Sequence, residues 1–177
     1  MPVTQNNKIH YNYDEIDKLV SNIAMKIRLN SEKYDCILAI ANGGLIPARM
    51  LQTYLNLPIY TYSLSSYHDD QRQEQVVERQ CPDHPSVQIS GKRVLVVDEM
   101  DDTRTTLTFV LRRLVDWGAQ DVGAAVVHNK LRDKSVYSPE VLLQFGAFSY
   151  YEGEKVEDKW IVYPWEKELC GLVATGS

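Results

Sequence analysis

Cysteine is scarce in this chain: three in 177 residues, Cys36, Cys81 and Cys170, an odd number with no C-x-x-C pair. That excludes a disulfide scaffold or a zinc ribbon and suits a reducing compartment. No apolar run approaches a membrane span, and no positively charged segment leads into an apolar stretch at the N-terminus, so a cytoplasmic protein away from membranes is expected. A basic excess is missing too. Lys and Arg number 19 against 24 Asp and Glu, for a net charge of −5 and a pI of about 5.4, which argues against a nucleic-acid-binding face. There is no internal repeat, no low-complexity tract and no linker long enough to divide the chain. With 44% hydrophobic residues, one domain with a sizeable core is expected.

What is present concentrates in Arg93–Leu107, R-V-L-V-V-D-E-M-D-D-T-R-T-T-L. Val94–Val97 is an apolar run of the kind a strand buried on both faces shows. Asp98, Glu99, Asp101 and Asp102 follow within five residues, then Thr103, Arg104, Thr105 and Thr106 at the start of a predicted helix. Carboxylates crowded at the end of a buried strand repel one another and lose hydration unless a cation relieves them. A hydroxyl-rich turn into a helix N-terminus offers N–H groups and a favourable dipole to an anion. A metal or polyhydroxyl group on one side and a phosphate on the other would satisfy both halves.

Around it the chain alternates strands and helices. Asn12 with Glu15 reads as a capping pair for a helix whose inner face is Ile16, Leu19, Val20, Ile23, Ala24 and Ile27. Cys36–Ala41 is a buried strand running into Asn42-Gly43-Gly44 and a helix with Pro47 in its first turn and Met50, Leu51, Tyr54 and Leu55 inward. Strand, glycine turn, helix can cradle a phosphate, although glycine pairs after strands are more often plain tight turns. Residues 58–63 form a second strand. Residues 68–91 lose any amphipathic period and read as a long loop, either a surface excursion or a functional lid. The acidic motif's helix, about 105–117, carries Leu107, Val110, Leu111 and Leu114 inward and stops at Gly118. Residues 122–127 form a further buried strand ending in His128-Asn129-Lys130, where a Lys is ordinarily a solvated terminus. The last informative stretch, D-K-W-I-V-Y-P-W-E over 158–166, would by composition alone cap a core. The pattern predicts an α/β fold, a parallel sheet flanked by helices with ligands at the strands' C-terminal ends.

The stretch from 94 to 106 resembles the 5-phosphoribosyl-1-pyrophosphate (PRPP) motif of the type I phosphoribosyltransferases: four apolar residues, two acids, two variable positions, Asp-Thr and a Thr-rich loop. Arg104 stands where that family usually has Gly, and the D-D-T-R-T-T form resembles the yeast-type hypoxanthine-guanine branch. Residues 158–166 resemble the base-binding hood of bacterial xanthine-guanine and yeast-type enzymes, and Ser65-Ser66-Tyr67 the start of the bacterial enzymes' lid. The resemblance spans about 37–166. It implies a core over about 30–135, a lid over about 66–91 and a small C-terminal hood over about 140–170.

It also implies roles. Asn42, Gly43 and Gly44 would grip pyrophosphate, with Asn42 where relatives often carry a basic residue. Asp98 and Glu99 would hold the ribose hydroxyls directly or through Mg²⁺, and Thr103 to Thr106 the 5′-phosphate. Asp102 would be the general base, Ser65, Ser66 and Tyr67 would open the lid, and Lys130 would donate to the 6-oxo group. Trp160 would stack on the purine and the Ile161 backbone face its 2-position, while His128 has no counterpart and is read as structural. Glu166 either holds the hood or approaches a metal ion, the former being favoured. The expected activity is transfer of the phosphoribosyl group to N9 of hypoxanthine, guanine or xanthine, by a homodimer or homotetramer with no nucleic-acid partner. Two other readings stay open: a PRPP-sensing, RNA-binding regulator without transferase activity, and a transferase for another acceptor. Lys130 counts against adenine, whose 6-amino group is itself a donor.

Overall fold

A computed structural model of the chain describes residues 2–5, 7–30, 33–68, 74–134 and 139–166. In chain order the elements are β1 (Val3–Gln5), β2 (Lys8–His10), α1 (Tyr13–Leu29), β3 (Cys36–Ala41), α2 (Leu45–Leu55), β4 (Ile59–His68), β5 (Glu74–Gln80), α3 (Pro85–Gln88), β6 (Arg93–Asp101), α4 (Thr105–Asp116), β7 (Asp121–Lys130), α5 (Pro139–Leu142), β8 (Phe148–Val156) and β9 (Trp160–Val162).

The ends of α1 follow from its sequence. Asn12 accepts from the Glu15 N–H and Glu15 from the Asn12 N–H, each at 2.9 Å, so two otherwise unpaired donors are satisfied reciprocally. The helix buries Ile16, Val20, Ile23, Ala24 and Ile27. Leu19, like Met50, Tyr54 and Leu55 of α2, is only partly buried against the same core.

The main sheet has the order β5-β4-β3-β6-β7-β8, parallel except where β5 runs antiparallel to β4. Both faces are covered. Ile37, Ala39, Leu95 and Val97 pack with α1 and α2, and Cys36, Leu38, Val94 and Val96 with α4. Successive strand side chains point to opposite faces, so an unbroken apolar run is what a strand between two helical layers needs. From β3 the chain crosses to β4 on one side, and from β6 to β7 on the other. The adjacent strands β3 and β6 thus leave a crevice at their C-terminal ends, the position where open α/β sheets bind ligands.

Three expectations need correction. Residues 68–91, read as a loop, contain β5 and α3: β4 continues to His68 and pairs with β5, Ser65 opposite Val77. Residues 69–73 and the side chains of Ser66 and Tyr67 lie outside the described residues. The stretch from 148 to 156, assigned to the hood, is the edge strand β8 of the main sheet. The hood itself is a small sheet of order β1-β2-β9, with Ile9 opposite Ile161. Its other two strands come from the N-terminus. Residues 167–170 of the expected hood, Cys170 among them, lie outside the described residues.

Candidate active site

The glycine turn and the acidic motif meet across the β3–β6 crevice at distances only glycine allows. A Cβ on Gly43 would lie 2.0 Å from the carboxyl carbon of Glu99, and one on Gly44 would lie 2.5 Å from the Val97 carbonyl oxygen and 2.6 Å from that of Ile40. The peptide between Ala41 and Asn42 is cis. Asn42, Gly43, Asp98, Glu99 and Thr106 line one shallow cavity of about 150 Å³. It adjoins a cleft of about 560 Å³ walled by residues 98–104, Thr106, Leu107, Arg132 and Trp160.

Asp98 is buried. Loss of hydration pushes its carboxyl well above the usual range, and the neighbouring Glu99 and Asp101 charges add to this. One Glu99 carboxylate oxygen, Oε2, is buried without a partner among the described residues. These are groups that a cation would relieve. Among the described residues no cluster of three or more His, Cys, Asp or Glu side chains could cage a metal. Two acids beside an open cleft suit Mg²⁺, which keeps most of its water or ligand oxygens and takes one or two carboxylates.

Asp102 stands at the cleft's other end, 42% of its side chain exposed, 3.3 Å from Lys130 Nζ and 2.9 Å from Arg132 Nη1. Both cations also approach Asp158, at 3.7 and 3.5 Å. The buried Lys130 is therefore no solvated strand end; it opens into a cavity of about 180 Å³ shared with Glu99, Asp102, Trp160, Ile161 and Glu166. Trp160 is 66% exposed beside it, whereas Ile161 is buried, fixing the backbone there.

The segment around β9 is fastened through Tyr163, to which the sequence assigned no role, together with His128 and Glu166. The Tyr163 hydroxyl donates to the Glu99 carbonyl at 3.0 Å, and its oxygen therefore accepts a hydrogen bond from His128 Nδ1–H across 2.9 Å. His128 is fully buried, and burial pushes its pKa down to about 4, which keeps it neutral. Tyr11 lies against its ring, 4.3 Å between centroids. The structural reading of His128 therefore stands. Glu166 accepts from the Tyr163 N–H at 3.5 Å; burial raises its carboxyl, with the Glu99 charge adding. It braces the hood and faces the acids at once.

In the turn leading into α4, the Thr103 and Thr105 hydroxyls lie 3.0 Å apart. Arg104 takes the left-handed conformation, φ 68°, immediately before α4. The sequence thus led to Asn42 to Gly44, Asp98, Glu99, Asp102 to Thr106, Lys130, Trp160 and Ile161, and the structure brings them to one rim. Ser65 stands apart from the three cavities, held by Arg79 Nε at 2.9 Å. Arg132 was missed, and Asp158 was noted only as the first residue of the 158–166 motif, because their pairing with Asp102 and Lys130 depends on long-range folding.

Residues 10–141 match the phosphoribosyl transferase domain family, and the chain belongs to that family. The chain is 36% identical to the hypoxanthine-guanine phosphoribosyltransferase of Schizosaccharomyces pombe, covering 91% of this chain and 90% of that one. It is 32% identical to xanthine phosphoribosyltransferase 1 of Saccharomyces cerevisiae, covering 94% and 93%. These relatives put it in the purine branch. Among solved structures, a hypothetical protein from Neisseria gonorrhoeae with bound ppGpp superposes with a TM-score of 0.81 at 41% identity, covering 93% of this chain and 92% of that one.

Proposed function

We propose that the protein transfers the 5-phosphoribosyl group of PRPP to N9 of a 6-oxopurine, hypoxanthine, guanine or xanthine, releasing pyrophosphate and the nucleoside 5′-monophosphate. This is purine salvage. The observation that carries the reading is a shared rim on which Asp102, Lys130 and Trp160 line one cavity next to the paired acids Asp98 and Glu99. Lys130 Nζ donates to the 6-oxo group, the Trp160 ring stacks on the purine, and the Ile161 backbone faces position 2. As N9 bonds to the ribose C1, the C1–O bond to pyrophosphate breaks with its electron pair, and Asp102 takes the N7 proton. Asn42 to Gly44 hold the pyrophosphate and Thr103 to Thr106 the 5′-phosphate. Asp98 and Glu99 hold the ribose hydroxyls and Mg²⁺, which when bound offsets charge on the leaving group. The segment of about 66–91, opening at Ser65 to Tyr67, closes as a lid, excluding water from the ribosyl cation.

No helix among the described residues is long and apolar enough to cross a membrane, and Cys36 and Cys81 are free; both fit a cytoplasmic enzyme. A homodimer or homotetramer would let a partner supply the cation missing at Asn42, which sedimentation at working concentration checks.

The test is a spectrophotometric assay with PRPP and a 6-oxopurine, with and without Mg²⁺. Mg²⁺-dependent formation of the nucleotide is the expected result. Folded protein that binds PRPP but turns over no base would move the assignment to the PRPP-sensing regulator, whose RNA complex a gel shift would reveal. The ppGpp-bound relative supports a second, regulatory reading of this site. A guanosine carrying a 5′-diphosphate matches its purine and phosphate subsites, so ppGpp should inhibit competitively with PRPP.

A further inference from the structure

The loop read as the 5′-phosphate site contains a non-glycine residue in a conformation L side chains rarely adopt: Arg104 at φ 68°, ψ 2°. That backbone turn sets the start of α4, since the Arg104 carbonyl accepts the Thr108 N–H at 3.0 Å. It thereby aims the helix's first N–H groups at the cleft. Glycine would take this conformation freely; arginine has to be held.

The holding group is Asp101, whose side chain is wholly buried. Arg104 Nε and Nη2 both reach Asp101 Oδ2, at 3.1 and 2.9 Å. The Tyr150 hydroxyl donates to the same oxygen at 2.8 Å, and the Arg104 guanidinium lies over the Tyr150 ring, 5.6 Å from its centroid. Lys134, its side chain largely covered, places Nζ 3.1 Å from Oδ2 and donates to the Asp101 carbonyl and to Asn129 Oδ1. Asp101 thus joins the phosphate loop to β8 and, through Lys134, to β7.

We propose that Asp101 is a positioning residue, which fixes the 5′-phosphate loop by anchoring the Arg104 side chain, and that Arg104 serves the loop through its backbone rather than by touching phosphate. The inference rests on residues 103–106 being the 5′-phosphate site. It makes an unusual ordering: the drastic change Arg104→Gly should harm PRPP binding less than the mild change Arg104→Lys. Glycine adopts the turn without an anchor, whereas lysine keeps the backbone cost and loses the forked contact. Asp101→Asn should raise the PRPP KM about tenfold, with kcat much less affected, and only about twofold when Arg104→Gly is already present.

The experiment is steady-state kinetics over PRPP concentration for the single variants and for Asp101→Asn combined with Arg104→Gly, each checked for folding by thermal unfolding. The predicted KM ordering and the reduced Asp101 effect in the glycine background support the inference. Glycine worse than lysine, or an equal Asp101→Asn effect in both backgrounds, overturns it. If Asp101→Asn does not fold, the glycine-versus-lysine ordering decides alone. A wild-type protein unable to bind PRPP would overturn the functional reading and this inference together; the inverted ordering overturns only this one.

Discussion

Two neighbouring glycines make different demands. The atoms crowding Gly43 are the far end of the Glu99 side chain, which can swing aside; those crowding Gly44 are backbone carbonyls of β3 and β6, which cannot. Gly43→Ala should therefore leave thermal stability nearly unchanged while displacing Glu99 from the cleft, with a loss on the order of 100-fold in kcat/KM. Gly44→Ala should instead destabilise the fold by about 1–3 kcal/mol. Thermal unfolding and PRPP kinetics on the two variants separate these outcomes. In the proposed mechanism, Asp102→Asn removes the proton acceptor and leaves the phosphate-binding segments intact. Turnover should fall by about 100-fold or more with PRPP affinity broadly kept, and near-normal turnover would remove Asp102 from the mechanism. Most of these residues were legible because strand, turn and phosphate loop are contiguous in sequence. The roles of Asp101, Arg132 and Asp158 were not: apart from Arg104, three residues from Asp101, their partners Lys134, Tyr150, Asp102 and Lys130 are brought to them only by folding.

Among the elements, α1, β3, β6, α4 and β7 announce themselves through long periods or unbroken apolar runs. The β5 sequence, E-Q-V-V-E-R-Q, has no alternation to read. It is an edge strand formed by pairing with β4, so tertiary contact rather than pattern makes it a strand. Strands β1, β2 and β9, three residues each, are too short for any period, so the N-terminal share of the hood was invisible. The hood's fastening is testable through His128. Its pKa is depressed to about 4 in the folded protein against 6.5 for the ordinary side chain. Between those values the unfolded chain binds a proton that the folded chain refuses. Stability from this group is full above pH 6.5 and is lost as pH falls towards 4, by roughly 3 kcal/mol in all. Denaturant titrations of the wild type and His128→Gln across that window should differ in slope; parallel curves would exclude His128 as a source of acid sensitivity.

For the whole molecule, the sheet order does the organising. Because connections leave β3 and β6 in opposite directions, the turn at Asn42 to Gly44, the acids and the loop of residues 103–106 share one crevice, and β7 delivers Lys130 to its edge. The hood, built from both ends of the described chain, supplies Trp160 and is tied back to Glu99 through Tyr163. With a net charge of −5, the proposed mechanism binds its anionic substrate through local N–H groups, a few cations and Mg²⁺ rather than through long-range steering. In the proposed mechanism, the buried Lys130, a donor that cannot accept, favours a 6-oxo over a 6-amino group. The most direct measurement is the ratio of kcat/KM for hypoxanthine to that for adenine, with saturating PRPP and Mg²⁺. The account predicts robust conversion of hypoxanthine and a preference over adenine of at least about 100-fold. Comparable rates with the two bases, or turnover of adenine alone, would contradict it.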